Sequence, residues 1–308
     1  GWQSTHTVIQ IVQQDMPFLV DSIRMALNRQ GLTVHLIIHP VMRIERNAKG
    51  CLDKVFVATE ISDETSNEAC MYFEVDRQSD PAVLQALHEE INQVLSDIES
   101  CVQDWQPMRE RLRSIIEEVK QNPPPLDTEQ LEEDLAFLLW LDQDHFTFVG
   151  YREYQLERHK GKDSLKIVPD SGLGILRKES DNVYSRSFEQ LHPKVRQKAH
   201  EPALLILTKS NSRATVHRPG YLDYVGIKQF NSEGKVIGEW RFLGLYTSAA
   251  YIRRATDIPL LRRKVQNVMR RSGFRPRGCG RDCCQATACT VPDDRFDTED
   301  ISPSGKRD

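Results

Sequence analysis

Apolar residues in the first third of the chain alternate between strand-like runs and helical stripes. His6–Val12 (HTVIQIV) is short, β-branched and apolar, which predicts a buried strand. Asp15, Met16 and Pro17 then supply a helix start, with Asp15 as the N-cap acceptor and Pro17 in the first turn, where its missing N–H costs nothing. Phe18, Leu19, Ile23, Ala26 and Leu27 form an apolar stripe at helical spacing, and Gly31 suits a left-handed cap. A strand resumes over Leu32–Ile44, Asn47–Gly50 turns into Leu52–Ile61, and Met71–Val75 is a further strand. Pro81 opens a long amphipathic helix whose apolar face carries Leu84, Leu87, Ile91, Val94, Ile98 and Trp105. This order, with tight connections, predicts a split βαβ layout, with helices on a mainly antiparallel sheet.

Asn122-Pro123-Pro124-Pro125 stops any helix and favours a stiff spacer. Asp127 caps a new helix carrying Leu131, Leu135, Leu138 and Leu139. The chain then turns β-rich through His145–Leu156, Leu165–Val168, Ala203–Thr208, Arg213–His217 and Leu222–Phe230. Asn231-Ser232-Glu233-Gly234 forms a hairpin loop that returns through Lys235–Tyr246. Asp257 and Pro259 start a last helix with Leu260, Leu261, Val265 and Val268, ended by Gly273. The expected fold is α+β in two modules, residues 1–121 and 127–273, joined by a proline-rich linker at 122–126. Beyond Gly273 neither periodicity survives, which predicts a disordered tail over 274–308.

Charge and cysteine usage narrow the class. The 308 residues carry 41 basic and 45 acidic side chains, with a pI near 6.2, which removes the usual reason to propose a nucleic-acid or anionic-membrane partner. No apolar run approaches the roughly 20 residues of a membrane-spanning helix, and the mean hydropathy is -0.52. A soluble, cytoplasmic protein is expected. Residues 1–125 have a net charge of -8 and the remainder +4, so contact between the halves is favoured, although solvated surface charge is the plainer explanation. Seven cysteines are an odd number for a disulfide framework, which predicts reduced thiols. Cys279, Cys283, Cys284 and Cys289 lack the paired Cys-x2-Cys spacing of structural zinc sites. The start at Gly1 and the irregular end both suggest a piece of something larger.

Candidate chemistry concentrates in two stretches. Gln13–Ser22 leads a strand into a helix N-terminus, a corner where free N–H groups can hold an amino acid's carboxylate while Asp15 or Asp21 meets its ammonium. The simpler role of these aspartates is as a cap and a first-turn charge. Thr208–Pro219 is dense in donors, with Asn211, Arg213, His217 and Arg218 on a polar loop at a sheet end. It suits an anion or a neighbouring subunit, and a solvated hairpin loop explains it equally well. His6, His35 and His39 have no complementary ligand spacing, so a metal is not expected. Gly172-Leu173-Gly174 lacks the third glycine of a dinucleotide fingerprint, Arg177 standing in its place. The sequence has no nucleophile elbow, phosphate-binding loop, His-Glu-x-x-His motif or persuasive acid/base pair, so no catalytic residue is assigned.

The segments QQDMPFLVDSIRMALNRQGLTVHLIIHPVMRIER, FTFVGYREYQL, SGLGILR and TKSNSRATVHRPGYLDYVGIKQF, with GEWRFLGLYTSAAY, resemble in order the N-terminal region of the large NAD-dependent glutamate dehydrogenases of bacteria. The resemblance covers about Thr5 to Gly273. It implies ACT-like and related sensory modules, with the catalytic lysine and the dinucleotide fold in a distant, later domain. On that basis the chain holds no cofactor of its own, NAD serving the full-length protein. Other modules or subunits of a homo-oligomeric dehydrogenase are its implied partners, and an amino acid its implied effector. The resemblance strengthens Asp15, Met16, Pro17 and Asp21 as effector-binding residues. Two departures stand out: no fourth strand follows the helix after Pro81, and the likeness stops at Phe274, as in a truncated or frameshifted product. The expected role is regulation and assembly, against a stand-alone amino-acid-binding module or a non-functional remnant.

Overall fold

A computed structural model of the chain describes residues 4–56, 66–159, 162–178, 184–185 and 202–272. The expected strand beyond residue 56, the tail over 274–308 and its four cysteines lie outside the described residues.

The first sheet is built around β5 (Ser66–Val75), which pairs antiparallel from Glu68 to Val75 with β1 (Thr7–Gln14). Its other edge takes β2 (Val34–Ile38) and then β3 (Val41–Arg46), and β4 (Leu52–Phe56) closes the sheet on β3. The single strand expected over Leu32–Ile44 is therefore two. Pro40 has no N–H to offer β5, and its carbonyl alone stays in register, accepting from the Cys70 N–H at 3.0 Å. Turn chemistry is as expected at Gly31 and Gly50, both at φ 75°, where glycine alone has no steric penalty.

Helices α1 (Leu19–Arg29) and α2 (Pro81–Gln103) cover one face of this sheet. Alternate residues Ala69, Met71, Phe73 and Val75 of β5 share a buried cluster with Leu19, Ile23 and Leu27 of α1 and Leu87, Ile91, Val94 and Ile98 of α2. Pro81 sits at the first helical position and Asp80 caps the helix, accepting from the Ala82 N–H at 2.8 Å. The long helix expected after Pro81 is broken. It ends at Asp104, and α3 (Trp105–Gln121) begins on a new course. Leu84 and Trp105, expected on the buried face, are 37% and 39% exposed.

The second sheet runs in the order β7 (Lys162–Ile167), β6 (Phe146–His159), β11 (Val236–Tyr246), β10 (Tyr221–Phe230), β9 (Leu205–Arg213), every pair antiparallel. A two-residue strand, β8 (Leu173–Gly174), adds to β6. One face is covered by α3 and by α4 (Thr128–Trp140), whose Met108, Leu112, Ile115, Phe137 and Leu138 share a core with Tyr151, Val225, Ile227 and Phe242. The proline run lies between these two helices, with Pro124 itself buried. Asp127 caps α4 as expected, accepting from the Gln130 N–H at 3.0 Å. The last helix, α6 (Leu261–Arg271), follows a short α5 (Ser248–Tyr251). Asp257 does not cap α6. Leu260 at φ 67° precedes it and donates its N–H to Glu133 at 2.9 Å, which also accepts from Arg262, so the helix start is fastened to α4.

The opposite face of the second sheet completes the first core. Val149, Leu222, Leu243 and Leu245 belong to the same buried cluster as α1, α2 and the first sheet. A bulge between Leu243 and Gly244 in the β11–β6 pairing marks where this contact is made. No described helix is long and apolar enough to cross a membrane.

Candidate functional site

The corner between β1 and α1 differs from the expected cap. Asp15 extends the ladder, its N–H donating to the Asn67 carbonyl at 2.8 Å, and its carboxylate lies 3.8 Å from His39 Nε2. The chain turns into α1 at Phe18, which adopts a left-handed φ of 76° and makes no side-chain cap. Asp15 therefore does not cap the helix. Met16 packs at the edge of the core and Pro17 is exposed. Asp21 stands in the first turn of α1, as expected from its charge and the helix dipole.

The second candidate stretch also changes character. Residues 208–212 are not a loop, because β9 continues through Arg213, which places Asn211 and Arg213 on a strand. The turn proper spans 214–220 and closes through the Ala214 N–H to the Gly220 carbonyl at 2.8 Å. It presses into the first module. Ala214 and Val216 are buried in the first core, and Thr215 Oγ1 donates to Asp97 of α2 at 2.7 Å. His217 holds a left-handed φ of 81°, and its N–H donates to the fully buried Ser22 Oγ of α1 at 3.0 Å. Its ring lies 4.9 Å from that of Phe18. A non-glycine residue in this region costs about 1–2 kcal/mol, so the surrounding contacts must hold it.

Asp21 and the turn thereby meet. Asp21, Arg24, Met25, Asn28 and Arg29 of α1 face Arg213, His217, Arg218 and Pro219 across an open cavity of about 540 Å³. The structure thus brings together Asp21, Arg213, His217 and Arg218, and leaves Asp15, Met16, Pro17 and Asn211 off the cavity wall. Sequence reasoning missed Arg24, Asn28 and Arg29. Their signal was present, since Asp21, Arg24 and Asn28 repeat at the spacing of one polar helix face.

The cavity is cationic. Four guanidinium groups face one carboxylate, that of Asp21. Arg24 lies 3.9 Å from Asp21, and Arg29 lies 3.2 Å from Glu90 of α2. Arg218 donates to the Tyr246 carbonyl at 3.0 Å and stacks over Tyr251, and Arg213 stacks over Tyr221. Burial, and then the adjacent Arg218, hold the His217 imidazole below its ordinary pKa, so it is neutral at neutral pH. Chemically the arrangement can bind and orient an anion. It offers no nucleophile paired with a base.

Away from the cavity, Arg241, Glu239 and Tyr224 form a buried hydrogen-bonded group, and the histidines are paired with carboxylates. His6 and His35 face each other at 4.5 Å, and each meets its own carboxylate, Glu74 at 3.3 Å and Asp76 at 2.7 Å. No three His, Cys, Asp or Glu side chains converge as a metal site among the described residues. The Gly172–Gly174 bend is a close backbone crossing. A Cβ on Gly174 would fall 2.2 Å from the Val149 carbonyl, and its N–H donates to Asp104 at 2.7 Å.

Comparison with known proteins agrees with the first half of this architecture and extends past it. A family model described as the glutamate dehydrogenase ACT1 domain matches residues 1–91, which span the first sheet, α1 and the start of α2. The NAD-specific glutamate dehydrogenase of Halomonas elongata is 38% identical over 306 residues, covering 98% of this chain and 19% of the relative. That of Pseudomonas aeruginosa is 36% identical over 301 residues, covering 97% and 18%. That of Mycobacterium tuberculosis is 23% identical over 263 residues, covering 85% and 15%. The chain spans about a fifth of the length of the first two relatives.

Proposed function

From a chain that belongs to the N-terminal region of the large NAD-specific glutamate dehydrogenase family, we propose a regulatory and assembly role rather than a catalytic one. The observation that carries this reading is the cavity between α1 and the 214–220 turn, where the two modules are joined by packing and hydrogen bonds and a ligand would touch both. A ligand that fits one relative placement of the modules better than another shifts the balance between them, by as much as its differential affinity and no more. Such a shift would pass to whatever the segment contacts, namely other modules or subunits of the dehydrogenase. Oxidation of L-glutamate with NAD and water, to 2-oxoglutarate, ammonium and NADH, would belong to the parts of the relatives outside this chain.

The effector suggested by the sequence is an amino acid. Among the described residues Asp21 is the one carboxylate on the cavity wall able to meet its ammonium, and the guanidinium groups opposite would take its carboxylate. Asp15, Met16 and Pro17 would then shape the corner behind Phe18 rather than touch the ligand.

Calorimetric titration of the 308-residue chain with a panel of amino acids tests the proposal. Saturable heat is expected with at least one of them, weakened by Asp21→Asn. A cooperative melt with no heat from any small effector would leave a scaffold without sensing. Turnover of glutamate and NAD by this chain alone would contradict the placement of catalysis elsewhere.

A further inference from the structure

We propose that the cavity between α1 and the 214–220 turn is a site for a small organic polyanion. Such a ligand carries at least two carboxylate or phosphate groups, and Arg213 and Arg218 hold its anionic end. The inference rests on the regulatory reading and deepens it by naming the charge class of the effector.

The first argument is unspent charge. Elsewhere several arginines are matched by carboxylates, Arg46 with Glu68, Arg109 with Asp142 and Arg262 with Glu133, although the buried Arg152 is held by the Leu176 and Lys178 carbonyls. On the cavity wall Arg213 and Arg218 meet no carboxylate among the described residues. Arg24 has Asp21 at 3.9 Å and Arg29 has Glu90 at 3.2 Å, which leaves Arg213 and Arg218 as the two unmatched cations of the wall, and the Asp21 side chain is 64% exposed. One carboxylate of a zwitterion would leave half of this unmatched charge uncompensated. Two or more anionic groups would match it, and planar guanidinium forks suit carboxylate and phosphate oxygens alike.

The second argument is preorganisation. Arg218 is not a loose surface cation, whereas Arg213 is exposed and steered only by a ring. Arg218 is fixed by the Tyr246 carbonyl and the Tyr251 ring, and Arg213 lies against Tyr221, 5.3 Å from the ring centre. The backbone that presents Arg218 is held at the adjacent His217 in a left-handed conformation, where the His217 N–H donates to Ser22 Oγ of the other module. Strain retained at a cationic wall, and braced across a module boundary, is the pattern expected of a ligand-holding turn. A cavity of about 540 Å³ has the size of a metabolite site. An anion beside His217 would let its imidazole gain a proton more readily.

Titration calorimetry on the 308-residue chain at low salt decides the matter, with pyrophosphate and propane-1,2,3-tricarboxylate as probes and acetate and glycine as single-anion controls. At least one polyanion should bind about tenfold or more tighter than either control, and the tighter of the two identifies phosphate or carboxylate as the source. Arg213→Gln should weaken that binding about tenfold, and Arg218→Lys, which keeps charge but loses the fork, should weaken it less. Arg213 is exposed and lies against an exposed tyrosine ring, so its replacement tests binding with little threat to the fold. The imidazole of His217, followed by NMR, should titrate at higher pH with ligand bound. Polyanions binding no tighter than acetate, or binding unchanged in Arg213→Gln, would overturn the inference. Amino acids binding where polyanions fail would overturn it while leaving the regulatory reading intact. Heat from neither class would remove both.

Discussion

Asp134 shows how burial acts on one residue. It lies on α4 at 3% exposure, with Gln130 Nε2 at 2.7 Å as its partner. Burial raises its carboxyl from an ordinary 3.8 to about 6. The folded chain holds this proton more tightly than the unfolded one. Its contribution to stability is therefore complete below pH 3.8 and is lost as pH rises through about 6. Glu133 and Asp142 run the other way. Glu133 is held low chiefly by Arg262, and Asp142 is held low by Arg113 and Arg109 against burial, so both favour the fold at neutral pH and lose that contribution in acid. Asp134→Asn keeps the hydrogen bond and removes the charge. It should raise stability by about 1–3 kcal/mol at pH 8 and by far less at pH 4. Urea unfolding at the two pH values checks this, and a loss of stability at both would contradict it. At this scale the sequence was an uneven guide. Asp127 caps as its position suggests, whereas Asp15 and Asp257 do not, because Phe18 and Leu260 enter their helices through left-handed turns that no local propensity announces.

The break at Asp104 is the corresponding lesson for elements. Leu87, Ile91, Val94, Ile98 and Cys101 continue in phase into Met108, Leu112, Ile115 and Val119, so the pattern reads as one helix. Periodicity reports which face is buried and not what buries it. The first set packs toward the first sheet and the second set belongs to the core of the second sheet. Asp104 stands at the change of direction, 4% exposed, accepting from the Gly174 N–H at 2.7 Å and from Arg177 Nε at 2.9 Å. These partners lie about seventy residues away and could not be paired from sequence. Asp104→Ala strands the Gly174 donor and the Arg177 charge, and should cost about 2–4 kcal/mol in chemical denaturation. A cost below about 0.5 kcal/mol, the scale of an ordinary surface change, would mean the joint is held by packing alone.

At the scale of the whole molecule the decisive feature is the shared core. Leu245 and Leu222 of the second sheet are as buried as Ile23 and Leu27 of α1, in one cluster. Cys101 belongs to it too, with its thiol on the Val149 carbonyl at 3.2 Å and pushed up to about 12 by burial. The two modules are therefore expected to unfold together. Scanning calorimetry should record one transition, and Leu245→Ala should lower it by the equivalent of about 2–5 kcal/mol without splitting it. Two separated transitions would show that the contact is weak. The α+β class, both sheets and most helices were legible from period and turn residues. The joining surface was not, since it depends on which apolar face meets which. The same holds for the site, whose two halves were each visible as polar stretches but whose meeting across about 190 residues was not.

The central claim, that a ligand in this cavity ties the two modules together, has a direct readout in hydrogen–deuterium exchange. With the tighter-binding polyanion at saturation, amide exchange should slow both in α1 and in residues 214–220, and in Arg213→Gln both effects should need about tenfold more ligand. Protection confined to one side, or absent from both, would contradict the account.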